Sequence, residues 1–184
     1  EIASCLVGSE MCIRDRMAEL VLDAGAMDVL VADTPAKIKD AWAARSSFLE
    51  AIMHETKLLD ECDVVVPVNK IADYLDFVNK TGEDCGLVIK SFGHAGDGNL
   101  HIYQCSNDLE EEEFKSRVDK FFEIIYREAT NCGGLVSGEH GIGSGKIKYL
   151  VDSVGETNMA LMEGIKRVFD PKMILNPGKV CYRL

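Results

Sequence analysis

The sequence lacks three features that would place it in a membrane, secreted or disulfide-stabilised class. No stretch approaches the roughly 20 consecutive apolar residues of a membrane span, and no basic start precedes a long apolar core as in a secretory signal. The seven cysteines stand at scattered spacings without a C-x-x-C pair, so neither a disulfide framework nor a zinc ribbon is predicted. We therefore expect a soluble, cytoplasmic protein without a membrane span, with reduced and mostly buried thiols.

Basic residues are scarce relative to acidic ones. Twenty Lys and Arg against 31 Asp and Glu give a formal net charge of −11, and such a surface repels nucleic-acid phosphates and anionic lipids. Nucleic acid is therefore not an expected partner. The hydrophobic fraction of 47% in 184 residues is typical of a globular protein, so we expect one well-cored domain or a large piece of a bigger enzyme.

Hydrophobic periodicity predicts strands that alternate with helices, without internal repeats. The predicted strands cover 28–32, 64–66, 86–92 and 99–104. Helices are predicted to begin at the Thr34-Pro35 cap and run to Ile52, to begin after an Asn69 cap, and to cover 110–130 and 156–169. This alternation indicates an α/β or an α+β fold.

Residues 1–16 fit this pattern badly. The segment 5–16 has no sustained period and resembles the translated read-through of a sequencing adaptor. The alternative is a frayed helical turn that leads into 17–24. We treat 1–16 as an adaptor-like or disordered leader and 17–184 as the folded region.

Two glycine-rich segments carry three of the four histidines. His94 and His101 lie seven residues apart, and glycines at 93, 96 and 98 permit a tight turn that directs both imidazoles into one pocket. Glu139, within Gly138-Glu139-His140-Gly141, adds a carboxylate. Two imidazoles and one carboxylate form a ligand set for catalytic zinc, iron or manganese with an open coordination position.

We predict that His94, His101 and Glu139 bind the metal and that the adjacent His140 is catalytic. The roles of Glu139 and His140 could be reversed, because adjacent residues do not easily bind one ion with the same geometry. The structural alternative is that each histidine forms ordinary hydrogen bonds and that 138–141 is a solvated turn.

The chain from Thr34 to Lys179 resembles the C-terminal, substrate-side region of FAD-linked oxidases of the D-2-hydroxyacid type, a family that includes glycolate oxidase, D-lactate dehydrogenase and D-2-hydroxyglutarate dehydrogenase. The motifs that carry this resemblance are residues 42–45, 63–67, 91–101, 133–143, 170–171 and 176–179. The resemblance implies the α+β cap domain of a vanillyl-alcohol-oxidase-type flavoprotein, with an antiparallel or mixed sheet flanked by helices. It also implies that the FAD-binding domain is absent from this chain.

The resemblance also implies roles for individual residues. His94, His101 and Glu139 match the family's metal ligands, and His140 matches its catalytic histidine. Arg45, by default a surface arginine, matches the arginine that binds the substrate carboxylate, and Asn176, in a turn, is assigned to cofactor binding. Leu49 and Glu61 do not clearly match the family's other substrate-contacting positions, so the identity of the hydroxy acid stays open.

The implied function is FAD-dependent, metal-assisted oxidation of a small 2-hydroxy acid, D-lactate or glycolate, to the 2-oxo acid. The expected electron acceptor is an electron-transfer flavoprotein or an iron–sulfur subunit, and the isolated chain is expected to be inactive without its FAD-binding domain. The residues alone leave two alternatives open: a freestanding metal-dependent hydrolase with Glu139 or His140 as base, and an inactive, truncated interaction module.

Overall fold

A computed structural model of the chain describes residues 2–181, with side chains from residue 13 onward. The described part divides into two units at Leu49, and no helix in it is both long and apolar enough to cross a bilayer. The elements are α1 (Ile2–Asp23), α2 (Pro35–Ser46), α3 (Phe48–Glu55), β1 (Leu58–Val65), α4 (Ile71–Cys85), β2 (Val88–His94), β3 (Asn99–Ser106), α5 (Glu111–Asn131) and α6 (Ile147–Phe169).

The first unit contains α1 and α2. The predicted start of α2 is confirmed, because the Thr34 side chain accepts a hydrogen bond from the Lys37 backbone N–H at 3.3 Å and Pro35 lies in the first turn. The helix does not continue to Ile52, since the Ser46 and Ser47 hydroxyls donate back to carbonyls of the preceding turn and Ser47 ends α2.

The predicted strand at 28–32 is wrong. Residues 28–33 have no regular structure, and Leu30 is 90% exposed. A run of apolar residues becomes a strand only when a neighbouring strand pairs with its backbone. The strands that the structure describes all lie in the second unit.

The second unit contains a three-stranded antiparallel sheet in the order β1-β3-β2. The predicted α+β class with an antiparallel or mixed sheet is therefore confirmed, and the sheet is antiparallel. Strand β1 begins at Leu58, six residues before the predicted start. The prediction missed these residues because Asp60, Glu61 and Asp63 interrupt the apolar run. The register places Asp63 of β1 and Phe92 of β2 directly opposite His101 of the central strand β3, so these three side chains lie on one face of the sheet.

One face of the sheet packs on helices α4 and α5. Strand side chains alternate between faces, so Cys62, Val64, Leu100 and Ile102 point into this core. Helix α5 covers 111–131, close to the predicted 110–130, and buries all five of the apolar residues that predicted it: Phe114, Val118, Phe121, Ile125 and Ala129. The opposite face of the sheet is thereby free to carry polar residues.

Two helix predictions are corrected. Asn69 does not cap α4: it lies inside a short 3₁₀ turn at Val68–Lys70, and the helix follows without a side-chain cap. Helix α6 begins at Ile147 rather than at 156, and it is kinked at Gly155, whose φ is 75°. The predicted helix corresponds to the part after this kink.

The prediction of mostly buried thiols is confirmed for the cysteines whose side chains the structure describes. Five cysteines with described side chains are free, and four of these are buried. Burial raises the pKa of the Cys62 thiol to about 12, so this thiol stays protonated and inert at neutral pH. Cys5 and Cys12 lie outside the described side chains.

Candidate metal centre

The β2–β3 turn places His94 and His101 on the same face of the sheet. His94 pairs with Asn99 across the turn, and His101 lies two residues further along β3. The turn requires glycine at position 98: φ is 80°, the Gly98 carbonyl accepts from Val66 N–H at 3.0 Å, and a Cβ would overlap the Val66 carbonyl oxygen. The two imidazole centroids are 6.1 Å apart, as the glycine-rich spacing predicted.

The loop that carries Glu139 and His140 is held by one buried carboxylate. Asp63 is 0% exposed, and its Oδ2 accepts three consecutive backbone N–H groups, from Gly138 at 2.8 Å, Glu139 at 2.8 Å and His140 at 3.0 Å. Lys146 completes the anchor with an ion pair to Oδ1. Burial by itself raises the pKa of Asp63. The backbone N–H groups and the Lys146 ammonium lower it by more, so the pKa lies well below its ordinary value.

The ligand atoms of His94, His101 and Glu139 all lie within 4.8 Å of one another. His101 Nε2 lies 3.0 Å from Glu139 Oε1. The His101 side chain is 8% exposed and that of Glu139 is 54% exposed, so one side of the cluster is buried and the other faces solvent. Two neutral imidazoles and a carboxylate suit zinc, iron or manganese, and these residues therefore fit a divalent cation.

His140 stands beside this cluster. Its ring centroid is 4.9 Å from that of His101, and its Nδ1 is 3.6 Å from Glu61 Oε1 and 3.9 Å from Asp63 Oδ1. Glu61, His101 and His140 form a second group whose ligand atoms lie within 4.8 Å. His140 thus lies beside the predicted metal ligands and near the carboxylates of Glu61 and Asp63 on β1.

Sequence reasoning missed the contribution of β1. Glu61 and Asp63 alternate along the strand and lie opposite Tyr103 and His101 of β3. Two acidic residues that are two positions apart in a strand lie on the same face of the sheet, and this spacing is visible in the sequence. Only the register of β1 against β3 shows that this face is the one with the histidines.

An apolar wall lines the same face. The Phe92 ring lies 5.8 Å from His101 and 5.1 Å from Tyr103, centroid to centroid, and Ile52 of α3 packs on Tyr103 and Cys105. The Tyr103 hydroxyl donates to Glu61 Oε1 at 3.0 Å. Burial and this hydrogen bond raise the pKa of Tyr103 above its ordinary value.

Arg45 and Asn176 lie on other elements. Arg45 is exposed on α2 of the first unit, with its guanidinium 6.0 Å from the centroid of the Trp42 ring. Asn176 is exposed in a turn after α6, with a φ of 44°. Asp170 shapes the start of this turn, because its carboxylate accepts backbone N–H groups from Ile174 and Leu175. The structure thus brings together the residues of the two glycine-rich segments.

Comparison with known proteins gives consistent similarities. The family "FAD linked oxidases, C-terminal domain" matches residues 9–180, and this match includes residues 9–16 of the predicted leader. A D-lactate dehydrogenase of Anaerostipes hadrus is 60% identical over 172 residues, which are 94% of this chain and 36% of that protein. Glycolate oxidase subunit GlcD of Bacillus subtilis is 36% identical over 157 residues, 84% of this chain and 33% of that protein.

A D-lactate dehydrogenase of Archaeoglobus fulgidus is 36% identical over 171 residues, 92% of this chain and 37% of that protein. The chain therefore spans about a third of the length of these relatives.

Proposed function

The chain belongs to the FAD linked oxidases through their C-terminal domain, and on that premise we propose that it forms the substrate side of a 2-hydroxyacid dehydrogenase. The enzyme would be FAD-dependent and assisted by a divalent metal, and it would oxidise a small D-2-hydroxy acid such as D-lactate or glycolate to the 2-oxo acid. The observation that carries this proposal is the convergence of His94, His101 and Glu139 within 4.8 Å, with the His140 ring beside them.

We assign the cation, zinc, iron or manganese, to His94, His101 and Glu139. When bound, such a cation lowers the pKa of a coordinated hydroxyl group and polarises it. The chain's contribution is preorganisation: β3 fixes the buried His101 ring, and Asp63 fixes the backbone N–H of Glu139 at 2.8 Å. A substrate 2-hydroxyl group would approach from the solvent-exposed side.

His140 is proposed to accept the proton of the substrate hydroxyl group. A neutral imidazole is suited to this role near neutral pH. The His140 side chain is 44% exposed, so a substrate can reach the ring. The hydrogen bond from the His140 backbone N–H to Asp63 restrains the backbone that carries this ring. The 4.9 Å between its ring centroid and that of His101 supports a proton acceptor beside the proposed metal ligands.

Arg45 and Asn176 are proposed to bind the carboxylate of the substrate and the cofactor, respectively. A guanidinium group binds a carboxylate through two parallel hydrogen bonds, and the Arg45 side chain is exposed. A bound flavin would supply the two-electron acceptor that the side chains of this chain lack. Asn176 is exposed and can therefore contact a group held by another domain.

Exposed apolar residues on the last part of α6 and in the following turn support contact with a second domain. Leu161, Ile165 and Phe169 are four residues apart and therefore lie on one side of α6. Exposed apolar patches often mark an interface, and we propose that the FAD-binding domain covers this one. Its exposed residues are Leu161, Ile165, Val168, Phe169, Ile174 and Leu175.

Electrons would pass from the flavin to an electron-transfer flavoprotein or an iron–sulfur subunit. The similarity to a protein named as a glycolate oxidase subunit supports a multi-subunit enzyme, and affinity purification from the native host would identify the partner. We propose a cytoplasmic location, which the free thiols support and cell fractionation would test.

The function can be tested by replacing the C-terminal third of the Anaerostipes hadrus relative with this chain. The chimera should reduce an artificial acceptor with D-lactate or glycolate but not with L-lactate, and chelation followed by Zn²⁺ or Mn²⁺ should abolish and restore this activity. His140→Ala should lower kcat by about 10²–10⁴-fold, the usual contribution of a general base. His54→Ala, in an exposed histidine of α3, is the matched control, and full activity of His140→Ala would refute the assigned role.

A further inference from the structure

Glu61 has a position that neither the proposed metal ligands nor the proton acceptor explains. It lies on β1 two residues before Asp63, so both side chains are on the same face of the sheet. Tyr103, directly opposite on β3, donates its hydroxyl hydrogen to Glu61 Oε1 at 3.0 Å. The carboxylate is thus held in place from the neighbouring strand.

The same carboxylate oxygen faces two imidazole rings. Glu61 Oε1 is 3.4 Å from His101 Nδ1 and 3.6 Å from His140 Nδ1. The two rings are inclined by 36° with centroids 4.9 Å apart, so one oxygen lies near the Nδ1 atom of each. A shift of about 0.5 Å would bring either distance to that of an ordinary N–H···O hydrogen bond.

His101 Nδ1 needs such an acceptor. The atom is buried and has no hydrogen-bond partner among the described residues, and its nearest carboxylate is that of Glu61. The other ring nitrogen, Nε2, faces Glu139 at 3.0 Å. If Nδ1 carries the hydrogen and points it at Glu61, Nε2 presents its lone pair toward the cluster of proposed metal ligands.

Asp63 cannot serve the rings in the same way. Its Oδ2 already accepts the N–H groups of 138–140, and its Oδ1 is paired with Lys146. It lies 3.9 Å from His140 Nδ1. The two acids of β1 therefore have different contacts. Asp63 binds the backbone of residues 138–140, and Glu61 faces the imidazole rings of His101 and His140.

We propose that Glu61 is a positioning residue that sets the tautomer and orientation of both His101 and His140 through their Nδ1 atoms. This inference deepens the proposed function and rests on it for the meaning of the two rings. One carboxylate oxygen would keep Nε2 of His101 available to a cation and Nε2 of His140 available to a substrate proton. Loss of Glu61 would then impair both functions together.

The direct test is the tautomeric state of the two rings in the full 184-residue chain without metal. Two-dimensional ¹H–¹⁵N spectra of the histidine rings, recorded about two pH units above the ordinary imidazole pKa of about 6.5, should show Nδ1–H for His140. For His101 the spectra are recorded in a Glu139→Ala background, which removes the competing acceptor 3.0 Å from Nε2, and they should also show Nδ1–H. Glu61→Leu should shift both rings toward Nε2–H, and Glu61→Gln, whose neutral amide oxygen is a weaker acceptor than a carboxylate, should shift them part of the way. Unchanged tautomers in Glu61→Leu would overturn the proposal.

The second test is the affinity of the chain for Zn²⁺, measured by calorimetry. Glu61→Gln should lower it by about 10–100-fold, as is usual when the partner of a ligating histidine is changed. Asp60→Asn removes the same charge from the neighbouring β1 residue, which points to the opposite face, and it should leave the affinity unchanged. Equal affinity in the two variants would overturn the proposal.

The two tests also separate this inference from the proposed function. A wild-type chain that binds no Zn²⁺, Fe²⁺ or Mn²⁺ would refute the metal assignment, while the ring tautomers would still decide the role of Glu61. If Glu61→Leu does not fold, as judged by circular dichroism, the isosteric Glu61→Gln still decides the matter through its Zn²⁺ affinity.

Discussion

Replacement of Asp63 by Asn would test whether one buried carboxylate holds the candidate site together. Asn is nearly isosteric and keeps one carbonyl oxygen for the N–H groups of 138–140, but it removes the charge that pairs with Lys146. Lys146 is only 16% exposed at its side chain. Breaking a buried pair by removing one partner destabilises a protein by about 3–5 kcal/mol, so we expect the free energy of unfolding to fall by that amount.

In thermal unfolding followed by far-ultraviolet circular dichroism, this loss corresponds to a decrease in Tm of about 6–20 °C for a chain of this size. The double variant Asp63→Asn/Lys146→Met, which leaves no unpaired charge, should recover part of the lost stability. A decrease below about 1 kcal/mol in the single variant would be within the range of a surface ion pair, and it would refute the claim that Asp63 anchors the loop.

The stabilisation should also depend on pH in a defined direction. The pKa of Asp63 is lower in the folded chain than its ordinary value, so its contribution is complete above the ordinary carboxyl pKa of about 3.9 and is lost as pH falls toward the lowered value. The stability difference between wild type and Asp63→Asn should therefore be constant from pH 8 to 5 and should shrink below pH 4. A difference that grows on acidification would contradict this assignment.

Two further predictions concern the frame of the site. Gly98→Ala should destabilise the β2–β3 turn by about 1–3 kcal/mol and reduce Zn²⁺ affinity, because alanine is strained at a φ of 80° and its Cβ would overlap the Val66 carbonyl. Gly96→Ala, where a Cβ meets nothing within 4 Å, is the control, and equal effects in the two variants would contradict the argument. Phe121→Ala, in a fully buried α5 residue, should reduce the free energy of unfolding by about 3–5 kcal/mol in urea titrations, and a loss below about 1 kcal/mol would count against this core.

The elements that the sequence predicted well are those that local pattern alone determines. Helix α5 carries five apolar residues at helical spacing and is bounded by acids and by glycines, so its length followed from its own residues. The strand predicted at 28–32 failed for the opposite reason: its apolar run is local, but strand formation depends on a partner. Strand β1 was underestimated because acids that face the site occupy every other position of its central part.

The candidate site shows the same contrast between features set by local sequence and features that depend on distant residues. The convergence of His94 and His101 could be predicted, because a glycine-rich turn between two strands is a local feature. The anchoring of Glu139 and His140 could not, since it depends on Asp63, more than seventy residues away in sequence. The motif 63–67 supported the family resemblance, yet its acidic residue had no role until the register of β1 was known.

The alternation of β1 links the site to the core. Cys62 and Val64 point into the core between the sheet and α5, while Glu61 and Asp63 point at the histidines. A slip of β1 by one residue would exchange the two sets, burying carboxylates against apolar helices and removing both acids from the site. Burial of Cys62 and Val64 therefore also specifies where Glu61 and Asp63 stand. It follows that Phe121→Ala, which weakens the core without altering this register, should lower stability yet leave Zn²⁺ affinity unchanged below the unfolding transition, whereas Asp63→Asn should lower both.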